Sequence, residues 1–168
     1  MSAERTSLVS PAPNELKFVV PQTITPRQKD VFELTALGLT AEEVGKKLYL
    51  SPATVQTYIR DGRKRLQAST QTEAVLRAER YGLIEVPALT VEDERKIANL
   101  MPHQLRVARG LAEYDGMFSA DQIAQRLKLR TITVQDYSKS ILSNLEVHTR
   151  TRAAVMITLF DRQSQRSY

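Results

Sequence analysis

The stretch Thr54-Val55-Gln56-Thr57-Tyr58 returns later in the chain as Thr133-Val134-Gln135-Asp136-Tyr137, a shift of 79 residues (133 − 54). The same shift aligns identical residues on both sides of the motif: Leu48 with Leu127, Leu50 with Leu129, Leu66 with Leu145, Thr70 with Thr149, Thr72 with Thr151, and Ala74 with Ala153. A unit of roughly sixty residues is therefore duplicated. We expect two copies of one fold, and therefore two equivalent functional sites.

Length and composition favour two small helical domains. The chain has 168 residues, of which 42% are hydrophobic, and it contains no tryptophan. Each copy is near the lower size limit for a domain that folds alone, so contact between the copies would help to bury apolar surface. The absence of cysteine excludes disulfides and cysteine-ligated metal sites. No signal peptide is visible, and the longest apolar stretch, residues 153–160, is too short to span a bilayer. We therefore expect a cytoplasmic protein.

The positive charge is concentrated in the two copies. The whole chain has a formal net charge of +5 and a pI of about 9.6. Residues 24–84 contain 10 basic and 7 acidic side chains, and residues 100–161 contain 8 and 6. The segment between them, residues 85–99, contains 2 basic and 4 acidic side chains. This distribution favours a polyanionic partner for the copies.

Capping patterns predict four helices in the first copy. Their N-caps are Thr25, Thr40, Ser51 and Thr70. Thr25 is followed by Pro26 at the first helical position and by Gln28 three residues after the cap, which together satisfy the free backbone N–H groups. Gly38 and Gly82 are expected to end the first and the fourth helix. Val55, Ile59 and Leu66 would form the buried face of the third helix.

The second copy follows the same plan with weaker caps. Pro102 takes the place of Pro26, but Met101 replaces the capping threonine, and three extra residues enter the turn before Ser119, which begins a new capping box. The fourth helix is predicted from about Thr149 to Phe160.

The remaining segments are short. Residues 90–99 are predicted to form a connecting helix in the linker 85–99, with Ile97 and Leu100 as its buried positions. Residues 1–23, which contain three prolines, are expected to be a flexible N-terminal arm, and residues 162–168 a C-terminal tail.

Two short helices joined by a tight turn, with exposed polar and basic side chains on the second, are typical of a helix-turn-helix. An α-helix fits the major groove of DNA, where amide, hydroxyl and guanidinium groups can read base edges. The spaced residues that carry a more specific likeness are Thr25-Pro26-Arg27, Val31, Gly38-Leu39-Thr40, Val44, Leu48, Leu50-Ser51, Thr54-Val55, Leu66 and Thr72-Glu73-Ala74-Val75. They resemble the DNA-binding domain of the LuxR/GerE family of bacterial transcription regulators. Residues 145–154 give the second copy a similar resemblance.

The resemblance implies an all-α protein with two tandem four-helix LuxR-type helix-turn-helix domains, joined by a short helical linker. Such a protein would bind double-stranded DNA at two half-sites and regulate transcription. The resemblance also implies which residues contact DNA. The base-reading positions are Gln56, Thr57 and Arg60 in the first copy and Gln135, Asp136 and Lys139 in the second. The phosphate-contacting positions are Lys46, Lys47, Thr54, Arg63, Lys64, Arg130, Thr133 and Arg150.

Two positions leave alternatives open. Gly62 stands in the third helix where the family usually has a bulky aliphatic residue and where the second copy has Ile141, so the first copy is either looser or filled by another side chain. Asp136 stands at a base-reading position, where a carboxylate repels phosphate but can accept a hydrogen bond from cytosine. The second copy is therefore either a reader of a different sequence, which we favour, or a structural half.

The sequence also gives expectations for the partners of the protein and for its chemistry. In the resembling family the domain often dimerises through its fourth helix, so this helix would pair either within the chain or in a homodimer. The alternative function is a protein-interaction module, such as an antiactivator or an RNA polymerase-binding factor, that retains the fold. The histidines, His103 and His148, lack acidic neighbours at metal-ligand spacing. We therefore expect no enzyme activity, no cofactor and no metal.

Overall fold

Nine α-helices account for all regular secondary structure in residues 23–113 and 120–166, the parts of the chain that the computed structural model describes. They are α1 (Pro26–Ala36), α2 (Ala41–Leu48), α3 (Pro52–Arg65), α4 (Gln71–Arg80), α5 (Val91–Ala98), α6 (Pro102–Glu113), α7 (Ala120–Leu127), α8 (Thr131–Asn144) and α9 (Arg150–Arg166). The expected all-α class is confirmed for these residues. The predicted N-terminal arm and the predicted cap at Ser119 lie outside them, except for Thr23.

The predicted caps determine where the helices of the first copy begin. The Thr25 hydroxyl accepts a hydrogen bond from the Gln28 N–H at 3.2 Å, and the Gln28 side chain accepts one from the Thr25 N–H at 2.9 Å. Thr40 and Glu43 form a second reciprocal capping box. The hydrogen bond from the Thr40 backbone N–H lowers the pKa of the Glu43 carboxyl. Local sequence alone is therefore sufficient to start these helices.

The sequence repeat is also a repeat of backbone geometry. Helices α7 and α8 begin and end 79 residues after α2 and α3, the separation that Thr72 and Thr151 also show. Tyr49 and Lys128, which follow α2 and α7, have φ angles of 57° and 54°. Gln67 and Glu146, which follow α3 and α8, have φ angles of 53° and 55°. Left-handed residues other than glycine are uncommon, so their occurrence at equivalent positions indicates the same turns in both halves.

The space above Gly62 is filled by an aromatic ring. A Cβ atom placed on Gly62 would lie 2.6 Å from Cζ of Phe32, whose side chain is fully buried. Helix α6 begins at Pro102 as α1 begins at Pro26, so Ala108 takes the place of Phe32 and Ile141 the place of Gly62. In the first copy the Phe32 side chain therefore fills the space beside Gly62. The second copy reverses the residue sizes, with a small residue on its first helix and a large one on α8.

Helices α4 and α9 pack against each other and join the two halves. The hydroxyl oxygens of Thr72 and Thr151, which are equivalent in the repeat, lie 2.9 Å apart. A second contact pairs the Arg162 guanidinium with the Glu79 carboxylate. When equivalent residues of two copies meet, the local relation between the copies approaches a two-fold axis.

The last helix is longer than predicted. Helix α9 continues to Arg166, so the prediction that this helix ends near Phe160 was wrong. Asp161 explains part of the extension because it accepts hydrogen bonds from the Arg109 guanidinium on α6, the shortest at 2.8 Å. Arg162 on the same turn pairs with α4. Two ion pairs with other helices therefore contact the start of this extension.

The predicted connecting helix is confirmed as α5. Thr90 caps it, and Ile97 and Leu100 are buried. Lys96 on this helix donates a hydrogen bond to the Glu146 carboxylate at 2.7 Å, and this bond raises the pKa of the Lys96 ammonium. The linker is thus held against the second half of the chain.

Candidate nucleic-acid interface

The turn between α2 and α3 sets the angle at which α3 leaves the domain. The Leu50 N–H donates to the Gly45 carbonyl at 2.9 Å, and the left-handed Tyr49 ends α2. Ser51 then caps α3 by accepting a hydrogen bond from the Thr54 N–H. In the second half the Leu129 N–H donates to the Ala124 carbonyl at 2.8 Å after the left-handed Lys128. The same backbone turn therefore joins α7 to α8 as joins α2 to α3.

Helix α3 presents one continuous exposed face. Its exposed members follow the spacing i, i+3, i+4, i+7 and i+11, which places them on the same side of a helix. We call this face the α3 stripe; it consists of Ala53, Gln56, Thr57, Arg60 and Lys64. The opposite side packs into the core through Val55, Ile59 and Leu66, as predicted. The structure thus brings the three predicted base-reading residues of the first copy together in solvent.

Helix α8 presents the equivalent face. The α8 stripe consists of Ile132, Gln135, Asp136, Lys139 and Ser143, all exposed. It includes the three predicted base-reading residues of the second copy. Ile132 was not predicted as a site residue. It lies three residues before Gln135, as Ala53 lies three residues before Gln56, so the helical period places each on its stripe. Ile132 is 53% exposed and is the one large aliphatic side chain of this stripe.

Helices α3 and α8 differ in charge. Helix α3 contains four basic residues and one acidic residue, whereas α8 contains Lys139 and Asp136 alone. Arg60 and Asp61 form an exposed ion pair with Nε 3.2 Å from Oδ1. Because both side chains are largely exposed, this pair is weak and Arg60 can exchange it for another anion. The first copy therefore holds the larger share of the electrostatic attraction for a polyanion.

The predicted phosphate-contacting residues fall into three groups. Lys46, Lys47, Lys64, Arg130 and Arg150 are exposed. Thr54 and Thr133 are half-buried, and the Thr54 hydroxyl lies 2.7 Å from that of Ser51 within the α3 cap. Arg63 is half-buried, and its guanidinium forms a hydrogen bond within the protein.

Arg63 belongs to the turn between α3 and α4. Its guanidinium donates to the Ser69 carbonyl, while the Glu73 carboxylate accepts from the Ser69 N–H. Arg77 completes the network by donating to the carbonyls of Leu66 and Gln67, each at 3.0 Å. These bonds satisfy backbone groups at a helix end. The structure therefore gives Arg63 a structural role that its basic charge alone did not reveal.

We expect Arg63→Ala and Lys64→Ala to have opposite signatures. Arg63→Ala should lower the free energy of unfolding by about 1–2 kcal/mol because it removes a charged hydrogen bond from the turn. Lys64→Ala should leave unfolding within about 0.5 kcal/mol, since the side chain is exposed, and should instead reduce the salt dependence of duplex binding. Urea unfolding and binding at several salt concentrations measure the two effects. A normal stability for Arg63→Ala would contradict the assignment.

Residues 23–113 and 120–166 also bear on metal sites and membrane spans. This part of the chain contains no group of three or more His, Cys, Asp and Glu side chains placed to hold a metal ion. No helix in the same ranges is long and apolar enough to cross a bilayer.

Comparison with known proteins gives a family match for the first copy. Residues 22–78 match the family described as "Bacterial regulatory proteins, luxR family". An uncharacterized transcriptional regulatory protein of Bacillus subtilis, YvfU, is 39% identical over 61 residues, which are 36% of this chain and 30% of the relative. The spore germination protein GerE of Bacillus subtilis is 29% identical over 72 residues, 43% of this chain and 97% of the relative.

A third relative is much longer. The putative HTH-type transcriptional regulator Mb0914c of Mycobacterium bovis is 33% identical over 60 residues, which are 36% of this chain but 7% of that protein. The chain thus spans less than a third of two of these relatives. No solved structure matches the chain significantly. The family match covers α1 to α3 and most of α4, and residues 22–78 therefore form a LuxR-type helix-turn-helix domain.

Proposed function

We propose that this chain is a DNA-binding transcriptional regulator that reads double-stranded DNA through two tandem LuxR-type domains, residues 24–84 and 100–161. The observation that carries the proposal is the α3 stripe, an exposed row of amide, hydroxyl, guanidinium and ammonium groups on the second helix of a helix-turn-helix. Gln can pair with adenine and Arg with guanine in the major groove. Relatives of the first copy are named transcriptional regulators, which supports the same role here.

The second domain is supported by geometry. Helices α7 and α8 repeat the bounds of α2 and α3, and the left-handed turn residue Lys128 repeats Tyr49. Gln104 on α6 keeps half of the capping box of Gln28 by accepting a hydrogen bond from the Met101 N–H at 3.0 Å. These similarities support a second reading helix rather than an unrelated helical segment.

The two domains form a pseudo-dimer within one chain. The contact of α4 with α9 places the equivalent hydroxyls of Thr72 and Thr151 together, and Leu76 and Val155 on these helices are buried. The fourth helix, which would otherwise mediate a homodimer, is therefore occupied within the monomer. We expect a monomer that contacts two half-sites about one helical turn, or roughly 34 Å, apart. This function places the protein in the cytoplasm with the nucleoid, where RNA polymerase is available as a partner.

Binding to random duplex DNA over a range of salt concentrations tests the function. A chain that neutralises several phosphates should show a steep fall of affinity as salt rises, with a slope of about −0.9 for each phosphate contacted. Light scattering at micromolar concentration measures the oligomeric state in parallel. A monomer that protects two half-sites is the expected result. A dimeric mass would instead show that each copy pairs with another chain.

The protein-interaction module remains the second candidate because of one observation. The α8 stripe has no net charge and includes Ile132 and Asp136, which suits a protein surface as well as a groove. Under this function the chain would bind RNA polymerase or a regulatory protein and would have no affinity for duplex DNA at low salt. The same salt series therefore separates the two candidates.

A further inference from the structure

The α8 stripe differs from the α3 stripe in a way that specifies what it can read. At equivalent positions Ala53 is replaced by Ile132, Thr57 by Asp136 and Lys64 by Ser143, while glutamine is retained. Each replacement removes positive charge or adds apolar or negative character. If α8 lies in a major groove, as the proposed function requires, it must recognise base edges that suit an aliphatic group and a carboxylate.

Ile132 has the position of a base-contacting residue. It is the second residue of α8, and the N-terminal residues of a recognition helix are those that reach base edges. Its side chain is 53% exposed and shares a face with Gln135 and Asp136, one turn further along. The thymine methyl group is the apolar feature of the major groove. An exposed isoleucine at this point of the stripe is therefore suited to contact a thymine.

Asp136 adds a second preference. A carboxylate at a base-reading position is repelled by phosphate and accepts a hydrogen bond from the amino group of cytosine N4, which the major groove exposes. Asp136 is exposed on the same face as Ile132, four residues later and about one turn away. Together the two side chains present an apolar group and an acceptor to neighbouring base pairs.

We propose that the second copy recognises its half-site through the methyl group of a thymine, contacted by Ile132, and the amino group of a cytosine, contacted by Asp136. The first copy supplies most of the ionic attraction through α3, and the second copy supplies sequence discrimination with little net charge. This inference rests on the proposed function, because it requires α8 to lie in a major groove.

Selection of bound fragments from random duplex DNA provides the probe. The half-site whose consensus relaxes with Arg60→Ala belongs to the first copy, so the other half-site belongs to the second. Each thymine of that second half-site is then replaced by deoxyuridine, which removes only the methyl group. For the wild-type chain one replacement should weaken binding about fourfold, the effect of losing one buried methyl group.

The matched variant is Ile132→Ala. Because Ile132 is exposed, thermal unfolding should be unchanged, and the variant should bind the original duplex about fourfold more weakly. The same deoxyuridine replacement should then have no further effect. Equal deoxyuridine effects in Ile132→Ala and in the wild type would overturn the contact. Ala53→Gly, at the equivalent position of the first copy, should leave the deoxyuridine effect in the second half-site unchanged.

Asp136→Asn provides an independent measurement. Asparagine pairs with adenine, so selection with this variant should exchange a cytosine for an adenine in the second half-site and leave the first half-site unaltered. An unchanged second half-site would overturn the assignment of Asp136. A wild-type chain that selects no DNA at all would instead refute the proposed function, and a chain that selects a single half-site would refute reading by α8.

Discussion

Gly62→Ile should destabilise the first domain by about 3 kcal/mol, although isoleucine is the residue at the equivalent position of the second copy. The added Cβ would lie 2.6 Å from Cζ of Phe32, and this ring is fully buried. Phe32→Ala should also be destabilising, by about 3–5 kcal/mol, because it leaves a cavity beside the glycine. The double variant Phe32→Ala, Gly62→Ile recreates the pair found in the second copy and should recover most of the loss.

Urea unfolding followed by circular dichroism measures these free energies of unfolding. The second copy offers a matched set: Ala108→Phe should be destabilising, and adding Ile141→Gly should compensate. Coupling of this kind is expected for residues in contact, whereas distant substitutions add. If the double variant Phe32→Ala, Gly62→Ile lost as much stability as the sum of the single variants, the size exchange between the domains would not be the reason for Gly62.

Arg60→Ala should produce the largest loss of DNA affinity of any single substitution in the two stripes. We expect a cost of about 1–3 kcal/mol, together with relaxed specificity at one position of the first half-site. Arg60 is exposed in the middle of the α3 stripe, and guanidinium pairs with guanine through two hydrogen bonds. Titration of a selected duplex with labelled protein measures the effect, and an unchanged consensus would assign Arg60 to phosphate instead.

Two control variants separate base reading from charge. Lys139→Ala, at the equivalent position of α8, removes the same charge but should have a smaller effect because lysine lacks the planar guanidinium. Asp61→Asn should act in the opposite direction and strengthen binding, since it removes a negative charge and releases Arg60 from its ion pair. Weaker binding by Asp61→Asn would show that the pair orients Arg60 for its contact.

The helix starts and the exposed reading positions could be predicted because they depend on neighbours in sequence. Thr25, Thr40 and Ser51 each cap a helix through a residue three positions away. Exposure of Gln56, Thr57 and Arg60 follows from the helical period once Val55 and Ile59 are assigned to the core.

Other features depend on residues far apart in the chain. Whether Gly62 leaves a gap depends on a ring thirty positions earlier, and the end of α9 depends on Arg109 and Glu79, which lie on other helices. The charge of Arg63, on which its predicted phosphate contact rests, is visible in the sequence, whereas the Ser69 carbonyl that it binds is not. The contact of Arg63 with phosphate stays a prediction.

The duplication, the all-α class and the capped helix-turn-helix of the first half were determined by the sequence itself, because caps, turns and amphipathic faces are local interactions. Only the tertiary structure decided how the two halves combine. It brought Thr72 against Thr151 and filled the space above Gly62 with Phe32. Each of these arrangements depends on packing between surfaces that local sequence leaves free to meet in several ways.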